Sequence, residues 1–482
     1  MIKTFLVLDE KLSKSPHYLF GILGCIAFLF WLFYWVFPPD VKLFTDDADS
    51  YIYYGPTRTI GYPVVLSLVK RITGSYEGIS FVQLTALSVS IFVAGAFLSR
   101  FLGSLSLGMV FTIATLSLGD VIKFCFQIYT ESLGLSVLLL LGAACLSYLR
   151  TPSNRSLLGI GFLLGLSILL RPSAYALLGS VLVLFLFYAP KFKDGLKYLF
   201  APVVAFLLIG SVVNFYNHGF LSTQSFIGHN LFGKMAFVVS DKVKSDESLE
   251  LTMIQNMANG MRPFQEDLAQ INSLKIYYIL STPLHDKLRF FLLEKKFKPS
   301  MPELSAIHDL DNFYKKVALK ILSQNSMAYA KDVAIHYMAL WFVWDLITGA
   351  EKELLTKWID HLKSTDPFKQ IEQDYSLYKF RQKSEIVIML IRAFLYFCFC
   401  LSFVFIARGL WCFFKRKTLA KTWAISLFFG ASIHFSYFLT SLLQAGYPRY
   451  SMFMWPYIFM MFLTFVGICF DYFKKEKMSD KI

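Results

Sequence analysis

The sequence predicts an all-α polytopic membrane protein of about ten transmembrane helices that also carries one largely helical extracytoplasmic domain. Three observations predict it. Hydrophobic residues make up 56% of the chain and Phe alone numbers 50, at a mean hydropathy of +0.53, which is more apolar surface than one soluble core wraps. Apolar runs of membrane-crossing length recur on both sides of one long polar stretch. Lys and Arg gather at alternate ends of those runs and act as topology signals, so the net charge of +14 implies no nucleic-acid partner.

Taken in order, residues 18 to 37 form the first span, and no pattern of small residues for signal peptidase follows it, so it reads as an uncleaved signal anchor. The further spans run approximately over 79 to 99, 103 to 119, 131 to 149, 156 to 170, 173 to 189, 198 to 216, 386 to 407, 422 to 442 and 451 to 471. Each approaches the roughly 20 apolar residues needed to cross with every backbone polar group paired internally; 103 to 119 and 156 to 170 are short. Lys3, Lys11, Lys14, Arg100, Arg150, Arg155, Lys191, Lys193, Lys197, Lys415 to Lys417, Lys421 and Lys474 to Lys477 place one side, and both termini, in the cytoplasm of a cell inner membrane. The other side receives residues 38 to 78, a turn near 120 to 130, the Arg171-Pro172 turn, residues 217 to 385, and the turn from Gln444 to Tyr450. This gives an N-terminal membrane module over 1–216 with its first outer loop at 38–78, an outer domain over 217–385, and a C-terminal membrane module over 386–482.

The stretch 217–385 alone has soluble-domain composition, with helical periodicity in segments such as Asp311 to Gln324. It is too long for a structureless loop. Met327 to Gly349 is apolar but contains Lys331, Asp332, His336 and Asp345. A spanning helix would bury those charges, so an interfacial helix that keeps them wet is the expectation. The seven cysteines all lie in or beside hydrophobic segments, which predicts no disulfide framework in the outer domain.

Residues with chemical potential cluster in the outer segments. In Asp46, Asp47 and Asp49, three carboxylates repel one another, and a raised pKa follows unless a cation or metal is near; such a group suits a general base. The structural alternative is a wet loop whose Asp and Ser cap the next helix. Tyr51 to Ile72 should form a short helical segment on the membrane surface. Within it, Arg58 and Lys70 are either phosphate ligands or snorkelling anchors. Glu131 opens the fourth span, where a carboxylate suits the helix dipole. Arg171 and Arg449 sit in outer turns that need no cation. His229, His336 and His434 lack metal-ligand spacing, and no metal or nucleotide motif occurs, so no cofactor is expected.

The order of these pieces resembles the membrane glycosyltransferases of the GT-C superfamily, most closely bacterial relatives of protein-O-mannosyltransferases and aminoarabinose transferases. TDDADSYIYYGPTRTIGYPVVLSL is similar to the family's acidic loop followed by an arginine and a Gly-Tyr-Pro helix start. TESLGLSVLLLLGAACLSYLR resembles its span opening with Glu, and GLSILLRPSAYAL its Arg-Pro turn. VVNFYNHGFLSTQSFIGHNLFGK resembles the entry to its large outer loop, and PRYSMFMWP its final Arg-Tyr turn. The resemblance implies a sugar donor on polyprenyl phosphate, an outer glycan, lipid or protein acceptor, membrane lipids around the chain, inversion at the anomeric carbon and no catalytic metal. It implies Asp47 as base with Asp46 or Asp49 orienting the acceptor. Arg58, Tyr62, Lys70, Glu131, Arg171 and Arg449 would bind substrate.

Two other classes compete. An O-antigen polymerase or ligase would place Arg and His chemistry in late outer loops, which the early Asp cluster does not match. A transporter or flippase of lipid-linked sugars would need repeats and broken helices near the midplane, and the sequence suggests neither.

Overall fold

The computed structural model describes residues 2–45, 47–188, 192–235, 237–240, 242–271, 273–275, 277–278, 307–343, 346–362, 381–382, 384–415, 417–443 and 448–479. These residues are helical apart from turns and a two-residue parallel pairing of Leu346–Ile347 with Arg381–Gln382. Among the described residues, seven helices are long and apolar enough to cross a membrane: Pro16–Val36, Gly78–Leu102, Glu131–Arg150, Gly195–His218, Glu385–Phe414, Lys421–Leu443 and Arg449–Tyr472. This is the pattern of a multi-pass membrane protein.

The remaining predicted spans are helical but depart from simple crossings, each for a local reason. The segment over 103 to 119 is not one straight span: Leu105–Leu116 and Gly119–Phe126 meet at a 58° bend. Leu118 takes a non-helical conformation (φ −74, ψ 80) just before Gly119, and breaks the run. Asn154–Leu170 starts where the Ser153 hydroxyl accepts from the Ser156 amide at 3.1 Å. It stops because proline disfavours the helical region for its predecessor; Arg171, before Pro172, is extended at φ −149, ψ 117. Pro172–Tyr188 follows as a second short apolar helix.

The chain divides into two compact units, the first comprising 1–224, 400–436 and 452–482 and the second 225–399 and 437–451. In the first, Gly78–Leu102 packs against Glu131–Arg150, and Asn154–Leu170 against Phe192–His218. The second contact is close because Gly161 and Gly165 lie on one face. A methyl on Gly161 would strike the Leu199 carbonyl, and one on Gly165 would lie 2.6 Å from the Phe206 ring. Small residues four apart let membrane helices approach in this way.

In the second unit, Ile227–Met235, Ser248–Ala269, Ile307–Gln324 and Ser326–Phe342 enclose a core that includes Phe232, Met257, Tyr314 and Val317. Ile307–Gln324 matches the periodicity read over Asp311 to Gln324. The expectation for Met327 to Gly349 is half corrected. Ser326–Phe342 is a helix, but Asp332 and His336 are 3% and 2% exposed rather than wet. Burial is tolerated because each is paired, Asp332 with Lys234 at 2.8 Å and with His336 at 3.4 Å. Asp345 lies outside the described residues.

Candidate functional site

The acidic loop is tethered where it begins. The Ile128 amide donates to the Leu43 carbonyl at 2.9 Å, and the Thr45 hydroxyl donates to the Ile128 carbonyl at 3.2 Å. The short helix Ala48–Ile52 then begins with Asp47 in the N-cap position, but its side chain makes no capping hydrogen bond. The carboxylate turns instead to Arg58, whose Nη2 lies 2.5 Å from Asp47 Oδ1. The structural alternative, an acidic cap, is therefore not the conformation that Asp47 adopts.

Arg58 reaches back over this helix because the chain reverses after it: the Gly55 amide donates to Ser50 O at 2.8 Å and the Arg58 amide to Gly55 O at 2.9 Å. Its Nε donates to the Ser50 hydroxyl at 2.8 Å and its Nη1 to the Tyr51 hydroxyl at 3.0 Å, and the guanidinium lies 4.3 Å from the Tyr51 ring centre. At the reversal Tyr54 adopts φ +46, unusual for a side chain of that bulk. That conformation is held by a hydrogen bond from its hydroxyl to Asn214 and by the His218 ring at 4.9 Å.

Each residue of the Gly-Tyr-Pro start has a separate task. A Cβ on Gly61 would fall 2.6 Å from the Leu169 carbonyl, so glycine alone brings this loop against the end of Asn154–Leu170, next to Arg171. Tyr62 is fully buried, edge-on to Tyr51 at 5.2 Å, and its hydroxyl meets Gln83 at 3.2 Å. Pro63 sits in the first turn of Gly61–Thr73, where no intrahelical N–H bond is needed. Of the segment read as helical over Tyr51 to Ile72, Gly61–Thr73 is a helix with Tyr62, Leu66 and Val69 buried, and turns separate it from Ala48–Ile52.

Glu131 and Arg171 meet across the same cluster. Arg171 Nη1 is 3.5 Å from Glu131 Oε1, with both side chains 7% exposed. Arg171 also donates from Nε to the Ser173 hydroxyl at 2.9 Å and stacks over the Phe453 ring at 4.5 Å. Glu131 thus faces a cation rather than merely completing a helix terminus. Tyr51 stands between the two ion pairs. Burial pushes its phenol up to about 12; Arg58 opposes this, while Glu131 and Asp47 add to it. At neutral pH Tyr51 is a neutral hydrogen-bonding group close to Arg58, Glu131 and Asp47.

The sequence-predicted residues therefore separate. Asp47, Arg58, Tyr62, Glu131 and Arg171 converge around one apolar cluster containing Tyr51, Tyr62, Leu133 and Leu170. Asp49 is exposed in the first turn of Ala48–Ile52. Asp46 lies outside the described residues. Lys70 is exposed in the last turn of Gly61–Thr73, over the Tyr76 ring at 4.9 Å, about 14 Å along the helix from Gly61 at 1.5 Å per residue. It is thus not gathered into the cluster. Arg449 belongs to the second unit, where it packs on Tyr450. Ser50, Tyr51, Tyr54 and Asn214 were not among the predicted site residues. Tyr51 had a signal, since positions 47 and 51 share one helix face; the Tyr54–Asn214 bond, 160 residues apart, had none.

Among the described residues no three His, Cys, Asp or Glu side chains are grouped as a metal site. The arrangement offers one partly exposed carboxylate held by a guanidinium, and a second guanidinium buried nearby. These suit proton acceptance and the binding of an anionic oxygen. No family model matches the chain, and neither a curated protein nor a solved structure matches it.

Proposed function

We propose that this chain is a membrane glycosyltransferase that moves a sugar from a polyprenyl-phosphate donor to an acceptor on the extracytoplasmic side of the inner membrane. The observation supporting this reading is the convergence of three sequence-distant pieces, the acidic loop, the Glu131 span start and the Arg171-Pro172 turn, around Tyr51 and Tyr62. In the proposed topology the two short apolar helices and the bent pair also cross or enter the membrane, giving about ten spans, and residues 217–385 lie outside.

In the proposed reaction the acceptor hydroxyl gives its proton to the Asp47 carboxylate as its oxygen bonds to the anomeric carbon. The bond from that carbon to the phosphate oxygen breaks, and its electron pair leaves on the phosphate. A phosphate leaving group needs no strong acid, so one base and cationic neutralisation suffice. Arg58 orients Asp47 and Arg171 neutralises the lipid phosphate; Arg449, carried by the second unit, is a separate candidate ligand for that anion. Glu131 holds Arg171 until the donor takes its place.

A second reading draws on one observation. The 58° break between Leu105–Leu116 and Gly119–Phe126 is an interrupted helix of the kind on which secondary transporters build substrate sites, which favours a transporter or flippase of lipid-linked sugars. Comparing envelope glycans, lipid A and secreted proteins by mass from a strain lacking this chain tests the enzyme reading. A sugar missing from one acceptor, with its lipid-linked donor accumulating, is the expected result. Unchanged envelope glycans and glycoproteins would contradict it.

A further inference from the structure

Lys234 is a fully buried lysine in the second unit, on the last turn of Ile227–Met235. Its ammonium ion-pairs with Asp332 at 2.8 Å, donates to the Ser441 carbonyl, and lies 5.8 Å from the Tyr329 ring centre. His336 contacts the other Asp332 oxygen at 3.4 Å. The Tyr329 hydroxyl donates to the Leu442 carbonyl at 2.6 Å.

The acceptors of these two donors share one property. Ser441 and Leu442 are in the last turn of Lys421–Leu443, whose final carbonyls have no partner within the helix. They also form the negative end of the helix dipole, where a cation is favourable. Lys234 and Tyr329 therefore cap that helix end from the side. One turn earlier, the fully buried Tyr437 donates to the Ser451 carbonyl at 3.1 Å, two positions beyond Arg449. A continuous chain of contacts runs from Lys234 through the helix end to the start of Pro448–Ser479.

We infer that Lys234 is a positioning residue, charge-balanced by Asp332 and seconded by Tyr329, that fixes the end of the helix before Arg449 and so sets where Arg449 is presented. The effect on donor use rests on the function proposed above; the cap itself does not. Asp332 balances the buried charge of Lys234, which without it would be too costly to keep. A hydrophobic residue at 234 would fill the core equally well but leave Ser441 uncapped.

The test uses the full chain in detergent or nanodiscs, in the variants Tyr329→Phe and Lys234→Met/Asp332→Leu. The double variant replaces the pair by apolar groups of similar volume, an exchange that folded proteins commonly accept. Hydrogen exchange over 437–443 and 448–451 should accelerate on the order of 10-fold or more in both variants, and the KM for a polyprenyl-phosphate sugar should rise with kcat little changed. Wild-type exchange in the double variant would overturn the inference, because the pair would then be replaceable core filling. If the double variant fails to fold, wild-type exchange in Tyr329→Phe overturns it alone. Accelerated exchange with an unaltered donor KM would support the cap and contradict the role proposed for Arg449.

Discussion

Glu131–Arg171 and Lys234–Asp332 are both buried ion pairs, one in each unit, and they differ in closure. The Lys234 pair is short, at 2.8 Å, and its charges are spent on a helix-end carbonyl and on His336. The Arg171 pair is longer, at 3.5 Å, and lies beside a polar loop that holds a third cation and a partly exposed carboxylate. Desolvation makes either pair weak evidence of stabilisation. A short, closed network is suited to holding shape, whereas a slack pair beside a polar loop is suited to exchanging its carboxylate for a ligand anion.

The largest expected effect breaks the open side of this comparison. Asp47→Asn should lower transfer about 100- to 10,000-fold with an unchanged melting temperature, since the amide keeps shape but not the proton acceptor. Initial rates and thermal unfolding check this. Severe loss in Asp49→Asn with Asp47→Asn active would move the base to the exposed carboxylate.

The next effect tests closure. Lys234→Met alone strands Asp332 and should cost roughly 3–5 kcal/mol of stability, read by thermal unfolding in detergent. The double change with Asp332→Leu should recover most of it. If Arg171→Met proves equally destabilising and is rescued in the same way by Glu131→Leu with activity retained, the two pairs are alike and the distinction fails.

Arg171→Lys and Arg449→Lys should act more mildly. Lysine keeps the charge but loses the two-point contact with a phosphate, and a charge-assisted bond contributes about 1.5–3 kcal/mol. Donor KM should rise by roughly 10- to 150-fold with acceptor KM unchanged. Wild-type kinetics in both would return these arginines to the role of interfacial anchors.

Acidification gives a subtler contrast. Burial raises the Asp332 carboxyl, but Lys234 and His336 more than reverse this and hold it well below the ordinary carboxylate range. A depressed carboxyl contributes stability above its unfolded value and loses it as pH falls through the folded one. The stability gap between wild type and Asp332→Asn should therefore stay level down to about pH 4 and narrow only below it. A gap that closes between pH 7 and 5 would contradict the pairing. The smallest effect expected is none at all, on adding EDTA to the transfer assay. Inhibition reversed by Mg²⁺ or Mn²⁺ would make the acidic loop a metal site.

How much of this was legible follows from chain separation. Helices such as Pro16–Val36 and Gly78–Leu102 were readable because a long apolar run is a local property. The bend at Leu118 was not, because composition carries no dihedral information. Asp47 was read as a candidate base and Arg58 as a phosphate ligand or anchor; their contact, 11 residues apart, depends on the reversal at Gly55. Glu131 was read as a carboxylate suited to the start of a span, and Arg171 as a cation in a turn that needs none. The packing of Gly61 on Leu169 and of Tyr62 on Tyr51, with the Leu43 and Thr45 bonds to Ile128, brings them to the acidic loop. Lys234 was invisible, since a lysine in a mixed-charge stretch reads as solvated, and its partners lie at Asp332 and Ser441.

The central claim is tested most directly by purified wild-type chain in vesicles carrying a polyprenyl-phosphate sugar labelled in the sugar, supplied with an envelope extract as acceptor. The account predicts that label leaves the lipid for a non-extractable or glycan fraction with inverted anomeric configuration, and that free polyprenyl phosphate appears in equal amount. Label that stays on the lipid and only changes leaflet would contradict it and favour transport.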